Sequence, residues 1–223
     1  MSLPAAAKCG PEPRLVPHAA TDRLPRFGDR RRVRIGLLGG SFNPAHDAHL
    51  YLARTALRRL GLDQVWLLVS PGNVLKPQAG MAPMSERLKS ARRLAGGRRI
   101  IATDIEARLG TRYTVDTVRA LVRLFPRASF VWIMGADILE QLPRWRHWQE
   151  LSRMIPFAVF PRPRYNARAL AGAAARCLGA RRIPAGAACT LAARTPPAWT
   201  FLPAAQRATS ATAIRAARQG GPS

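Results

Sequence analysis

Two histidines three residues apart, His46 and His49, sit inside the stretch GGSFNPAHDAHL, residues 39–50. An imidazole can donate a hydrogen bond to a phosphoryl oxygen, and residues at i and i+3 share one face of a helix. The residues in front of them suit the same chemistry. Gly39 and Gly40 let the backbone turn sharply and approach a ligand with no side chain in the way. Pro44 fixes the loop, and the helix expected to begin at His46 or Asp47 offers free amides to an anion. Spacing alone also admits a pair of surface or packing histidines. Neither G-x-G-x-x-G nor G-x-x-x-x-G-K-[ST] occurs, so neither a dinucleotide fingerprint nor a P-loop accounts for the glycines.

A second anion-suited stretch, TSATAIRAA, covers residues 209–217. Ser210 or Thr212 can cap a short helix, and Arg215, about one turn on, carries a planar fork of donors that can grip a polyphosphate. Taken alone it reads equally well as an ordinary helix start in an Arg-rich chain. No cluster of carboxylates has the makings of a metal cage.

Such groups need a scaffold, and the chain alternates between two hydrophobic periods. VRIGLL (33–38) reads as a short apolar strand. The helical spacing that follows puts Leu50, Ala53, Leu57 and Leu60 on one face, with Gly61 as a stop. QVWLLVS (64–70) is a strand apolar enough to be buried on both faces. MSERLKSARRLA (84–95) reads as helix, RIIAT (99–103) as strand, and TVDTVRALVRLF (114–125) as amphipathic helix. SFVWIMG (129–135) is a fourth strand, and a fifth falls around 157–160. Residues 168–197, rich in Ala, Gly and Arg, read as a helix and a loop before AWTFL. The expected fold is α/β: a Rossmann-like parallel sheet with helices on both faces. Ligands in such sheets bind beyond the carboxyl ends of the strands, near a switch in strand order, and residues 39–50 follow one such end.

At 223 residues the chain suits one good-sized core. Thirty-six basic residues against twelve acidic ones give a formal charge of +24, a field that favours nucleic acid, acidic lipid or phosphorylated small molecules. The Arg and Ala enrichment runs through loops, helices and termini alike, as a general compositional bias leaves it, so charge alone names no partner. Cys9, Cys177 and Cys189 show neither metal spacing nor a disulfide framework, which suits a reducing cytoplasm. No apolar run approaches the ~20 residues that span a bilayer. Residues 1–30, with five scattered prolines, read as a flexible basic extension. A single domain is expected over 31–218, with 219–223 as a tail. A basic nucleic-acid-binding protein would explain the charge but not the spaced histidines, and no helix-turn-helix, RNA-binding or zinc signature accompanies it.

GGSFNPAHDAHL resembles the nucleotidyltransferase signature G-[ST]-F-[DN]-P-x-H-x-G-H, with Ala48 where that superfamily usually carries Gly. TSATAIRAA resembles its I-S-S-T-x-[IL]-R, with Ala211 at the second serine. RYTVDTVRAL and WIMGADILEQLPRWRHWQEL resemble segments of bacterial nicotinate-nucleotide adenylyltransferases, S-Y-T-x-D-T-L and I-G-A-D-x-L-x-x-L-P-x-W-x-x-W. SPGNVLK (70–76) is similar to their substrate loop, and AVFPRPRY to their V-x-x-R-P-G-Y, with Arg164 in place of Gly. The resemblance runs from about residue 33 to 215.

The resemblance implies an HxGH-type nucleotidyltransferase that moves the adenylyl group of ATP to nicotinate mononucleotide, giving deamido-NAD and pyrophosphate. It places His46, His49 and Arg215 at the reacting phosphates as catalytic residues. It assigns Gly39, Gly40, Ser41, Phe42, Asp137, Ser210 and Thr212 to ATP. Asn43, Lys76, Tyr113, Thr114, Trp145 and Arg162 fall to the mononucleotide, with Trp145 stacking on the pyridine ring and the Thr114 loop holding its carboxylate. Plain structural roles stand beside several of these. Asp116 and Thr117 can cap the helix from Thr114, Asp137 can cap one from Ile138, and Trp148 is expected in the core on the helical face of Trp145. Magnesium is expected to arrive on ATP, with no metal site in the protein and no membrane or specific nucleic-acid partner. Nicotinamide mononucleotide and phosphopantetheine remain as alternative acceptors, and the oligomeric state is open.

Overall fold

The apolar stretches become strands of one all-parallel sheet: β1 (Val33–Gly40), β2 (Gln64–Val69), β3 (Ile100–Thr103), β4 (Ala128–Gly135), β5 (Phe157–Phe160) and β6 (Trp199–Phe201). The computed structural model describes residues 32–72 and 80–205. Their order across the sheet is β3-β2-β1-β4-β5-β6, every neighbouring pair parallel. Unbroken apolar strands bury both faces because successive side chains point to opposite sides. Trp66 and Leu68 of β2 join one buried cluster with Leu37, Trp132 and Phe157; Val65, Leu67 and Val69 join the other with Leu38, Ile133 and Ala158. Burying side chains of this size contributes about 2–3 kcal/mol each.

Helices cover both clusters, as the alternation of periods implies. On one side lie α1 (Asp47–Arg59) and α2 (Met84–Ala95), which bury Ala53, Ala56, Leu57, Leu88 and Ala91. A left-handed glycine follows each of them, Gly61 at φ +59° and Gly96 at φ +57°. On the other side, α3 (Ile105–Arg108) and α4 (Thr114–Leu124) contribute Ile105, Val115, Val118 and Leu121. They are joined there by α5 (Ala136–Gln141), α6 (Trp148–Met154), α7 (Asn166–Ala171) and α8 (Ala173–Cys177).

Residues 168–197 depart from the expected single helix and loop. Gly172, extended at ψ 167°, separates α7 from α8, and 3-10 turns follow at Gly179–Arg181 and Ala185–Ala193. The AWTFL segment then supplies β6, the last strand of the sheet, which pairs with β5 and meets Arg182 through an isolated parallel bridge. No helix among the described residues is long and apolar enough to cross a membrane.

The topology sets the position of the site. The chain builds outward from β1 through β2 to β3, then returns to lay β4 against the other edge of β1. Loops leaving β1 and β4 at their carboxyl ends therefore diverge to opposite faces and open a crevice between them.

Candidate active site

The loop after β1 is held in one shape. Phe42 takes a left-handed backbone, φ +48°, and drives its fully buried ring into the cluster beneath α1. That conformation costs a non-glycine residue on the order of 1 kcal/mol, and such strain persists where the surroundings over-determine it. The ring centroid lies 4.9 Å from that of His49. Phe42 therefore packs against the histidine, and its buried ring is closed to a ligand.

His46 precedes α1 as its N-cap and His49 occupies its first turn, with ring centroids 3.9 Å apart. The His49 amide donates to the His46 carbonyl at 2.9 Å, and the His46 amide donates to Nδ1 of His49 at 3.2 Å. An Nδ1 that accepts a hydrogen bond cannot carry the proton in the neutral ring, so Nε2 of His49 is the N–H donor. Burial, then the neighbouring His46 and the charge of Arg162, push the His49 pKa down to about 3. His46 is lowered as well, by burial first and by Arg162 second. His49 is thus a neutral ring with Nε2–H as its donor. Nδ1 of His46 is buried without a hydrogen-bond partner.

A shallow, open cleft borders His49, lined among others by Ala48, Tyr51, Gly135, Arg162 and Ala205. Ala48, in the superfamily's usual glycine position, presents its methyl group to this cleft. Gly135 ends β4 where a Cβ would meet Asp137 Oδ1 and would lie 3.0 Å from Cγ of Arg162. Only glycine lets these two side chains converge there. Nε of Arg162 stands 3.6 Å from Oδ1 of Asp137, which has no hydrogen bond. Asp137 lies in the first turn of α5, which starts at Ala136 instead of Ile138, and makes no side-chain cap. The backbone amide of Arg162 is fixed by Asn166 Oδ1 at 2.7 Å. Arg164 holds φ +68°, a left-handed conformation that accounts for the glycine usual in the motif it resembles.

Other expected site residues lie along the rim. Asn43 donates to the carbonyl of Gly80 at 3.1 Å and accepts from the amide of Ala82 at 3.2 Å, pinning that segment to the β1 loop. Tyr113 and Thr114 form the start of α4, and the guanidinium of Arg146 lies 4.7 Å above the Tyr113 ring. Asp116 does not cap α4; it pairs with Arg119 at 2.6 Å, and Arg119 also reaches Glu150. The Thr117 hydroxyl bonds to that of Thr111 at 2.8 Å and to the Tyr113 carbonyl at 3.3 Å.

The two tryptophans do not share a helical face. Trp145 ends a 3-10 turn, His147 is left-handed at φ +50°, and Trp148 opens α6. Both are half-buried against the first cluster, so Trp148 is less enclosed than expected. Trp145 packs edge-on against Trp132, centroids 6.0 Å apart, and Trp132 backs directly onto Gly39. That chain of contacts anchors Trp145 to the β1–β4 boundary. Lys76, Ser210, Thr212 and Arg215 lie outside the described residues. Arg87, absent from the sequence-level assignments, is buried against this loop system with only 3% of its surface exposed.

Strand order, the carboxyl-end crevice and the paired histidines define a nucleotidyltransferase-type α/β protein. The cytidylyltransferase-like family model matches residues 37–217. A probable nicotinate-nucleotide adenylyltransferase of Gluconacetobacter diazotrophicus is 59% identical over 190 residues, covering 85% of this chain and 88% of that relative. The corresponding protein of Gluconobacter oxydans is also 59% identical, over 85% of this chain and 97% of its own length. Among solved structures, the nicotinic acid mononucleotide adenylyltransferase of Plasmodium falciparum, complexed with NaAD, has the same fold. It is 14% identical, with a TM-score of 0.61 over 82% of this chain and 83% of that one. The chain belongs to the nicotinate-nucleotide adenylyltransferase family, within the cytidylyltransferase-like proteins.

Proposed function

We propose that the chain transfers the adenylyl group of ATP to nicotinate mononucleotide, releasing pyrophosphate and forming deamido-NAD. The observation that carries this reading is the His46–His49 arrangement, which leaves one fixed, uncharged N–H donor on a cleft shared with Arg162 and the end of β4. A mononucleotide phosphate is already a nucleophile at neutral pH. One of its oxygens attacks the α-phosphorus of ATP, the new P–O bond forms, and the bond to the β-phosphate oxygen breaks as pyrophosphate leaves. No general base is needed, so the protein's task is placement and charge stabilisation. His46 and His49 serve the oxygens of the reacting phosphorus, and Gly39, Gly40 and Ser41 are assigned to the ATP phosphates through their backbone, the space beside Gly39 and Gly40 being taken by the Trp132 and Phe42 rings. Arg162 balances negative charge at the cleft, with Asp137 holding its guanidinium in place.

Arg215, with Ser210 and Thr212, is assigned to the β- and γ-phosphates. Asn43, Lys76, Tyr113, Thr114 and Trp145 are assigned to the mononucleotide, with Trp145 stacking on the pyridine ring. Magnesium enters as part of the ATP substrate, and the reaction belongs to the cytoplasm.

The test is product formation from ATP and magnesium with nicotinate or nicotinamide mononucleotide supplied separately, following dinucleotide and pyrophosphate. A strong preference for the acid is expected. Faster turnover of the amide, or turnover of neither, overturns this reading; in the second case phosphopantetheine is the next acceptor to offer.

A further inference from the structure

Arg87 projects from α2 into the ground beneath the carboxyl ends of β1 and β2. Its Nη1 donates to the carbonyls of Ser41 and Ser70, both at 2.7 Å. Nε donates to Ala82 at 2.9 Å, and Nη2 reaches Pro71 at 3.4 Å. Ser41 belongs to the β1 loop, Ser70 and Pro71 leave β2, and Ala82 is on the strand of chain returning to α2. No carboxylate faces the guanidinium at ion-pairing distance among the described residues, and burial alone lowers its pKa from the ordinary arginine value. An arginine nonetheless stays charged in proteins. Here a buried cation is satisfied by main-chain carbonyls alone. An ordinary core would fill such a position more cheaply with an apolar side chain.

The position of those carbonyls supplies the reason. Asn43, one residue beyond Phe42, is bonded to Gly80 and Ala82, and Ala82 is bonded in turn to Arg87. Ser70 is tied to β1 through its amide, which donates to the Gly40 carbonyl at 3.0 Å. Three chain segments that meet only at the site's rim thus converge on one planar group. We propose that Arg87 is a positioning residue whose guanidinium locks the β1 and β2 loops together and so fixes Asn43 at the mononucleotide side of the site. This assignment rests on the adenylyl-transfer reading. A lysine keeps the charge but not the planar fork, and cannot hold Ser41, Ser70, Pro71 and Ala82 at once.

The experiment is steady-state kinetics of the full chain, wild type against R87K and R87M, with KM for each substrate measured separately and melting curves alongside. R87K is expected to melt within a few degrees of wild type while KM for the mononucleotide rises about tenfold, and KM for ATP rises with it because the same guanidinium holds the Ser41 carbonyl. R87M is expected to go further in the same direction. A role confined to stability would lower the active fraction and leave both KM values untouched, and that result overturns the proposal. So does unchanged R87K kinetics, and so does failure of both variants to fold, because the residue then serves the core. A wild type inert toward every mononucleotide instead removes the functional reading beneath it, and the wild-type control tells these failures apart.

Discussion

At position 49 the useful atom is selected by a bond on the far side of the ring. The His46 amide occupies Nδ1, so the proton sits on Nε2, and the depressed pKa keeps the ring neutral through the physiological range. Replacing His49 with Ala removes that donor and leaves the helix intact, since Ala favours helix at a first-turn position. Turnover is expected to fall by about 10²–10³ with an unchanged circular-dichroism spectrum; near-normal pyrophosphate release would refute the assignment. The histidine pair stood out through the motif around it, since spacing alone also admits packing histidines, and the structure brings the two rings together. Arg87 did not stand out, because its partners are carbonyls, which every residue carries. The only trace was an arginine at an i−1 and i−4 relation to Leu88 and Ala91, on the buried face of α2, where the hydrophobic pattern calls for an apolar residue.

Elements were legible where they ran long enough to show their period. Strands announced themselves through their apolar runs, down to the four residues of β3 and β5, whereas the four-residue helix α3 is too short to display a helical period. The tryptophans misled for a related reason: i,i+3 spacing implies a shared face only if the intervening backbone is helical, and His147 breaks it. Within β1, Gly36 shows how closely the layers pack. A Cβ there would lie 2.5 Å from Cδ1 of Ile133, 2.7 Å from Cδ1 of Leu62 and 3.2 Å from Cγ2 of Val65. Gly36→Ala should therefore destabilise the fold by about 1–3 kcal/mol, lowering the melting temperature by several degrees. A variant that melts with wild type would mean that those side chains can move aside to admit the methyl group.

For the whole molecule, charge and proton linkage matter more than any single contact. Both histidines have lowered pKa values, so as pH falls below 6.5 the unfolded chain takes up protons that the folded chain refuses, and stability is lost. Comparing wild type with His49→Ala isolates one of them. The stability of wild type relative to the variant is expected to drop by about 2 kcal/mol between pH 7 and pH 5, read from urea midpoints. A pH-independent difference would contradict the neutral, buried ring. Glu106 acts with opposite sign: burial raises it from 4.5 to about 7, so the folded chain holds a proton that the unfolded chain has released. Its contribution declines as pH rises through that window. Neither linkage was visible in the +24 total, which counts charges without their surroundings.

The placement of β4 beside β1 also has a consequence for synthesis. Emerging from the ribosome, the chain completes β1 and the loop bearing both histidines early, yet the strand that must sit against β1 arrives roughly a hundred residues later. Until then one edge of β1 is bare, and the wall of the cleft opposite His49 is missing. Gly135, Asp137 and Arg162 all come from the later half. The nascent protein therefore carries its most recognisable residues through most of its birth without being an enzyme, and gains the whole crevice only when the two halves of the sheet join.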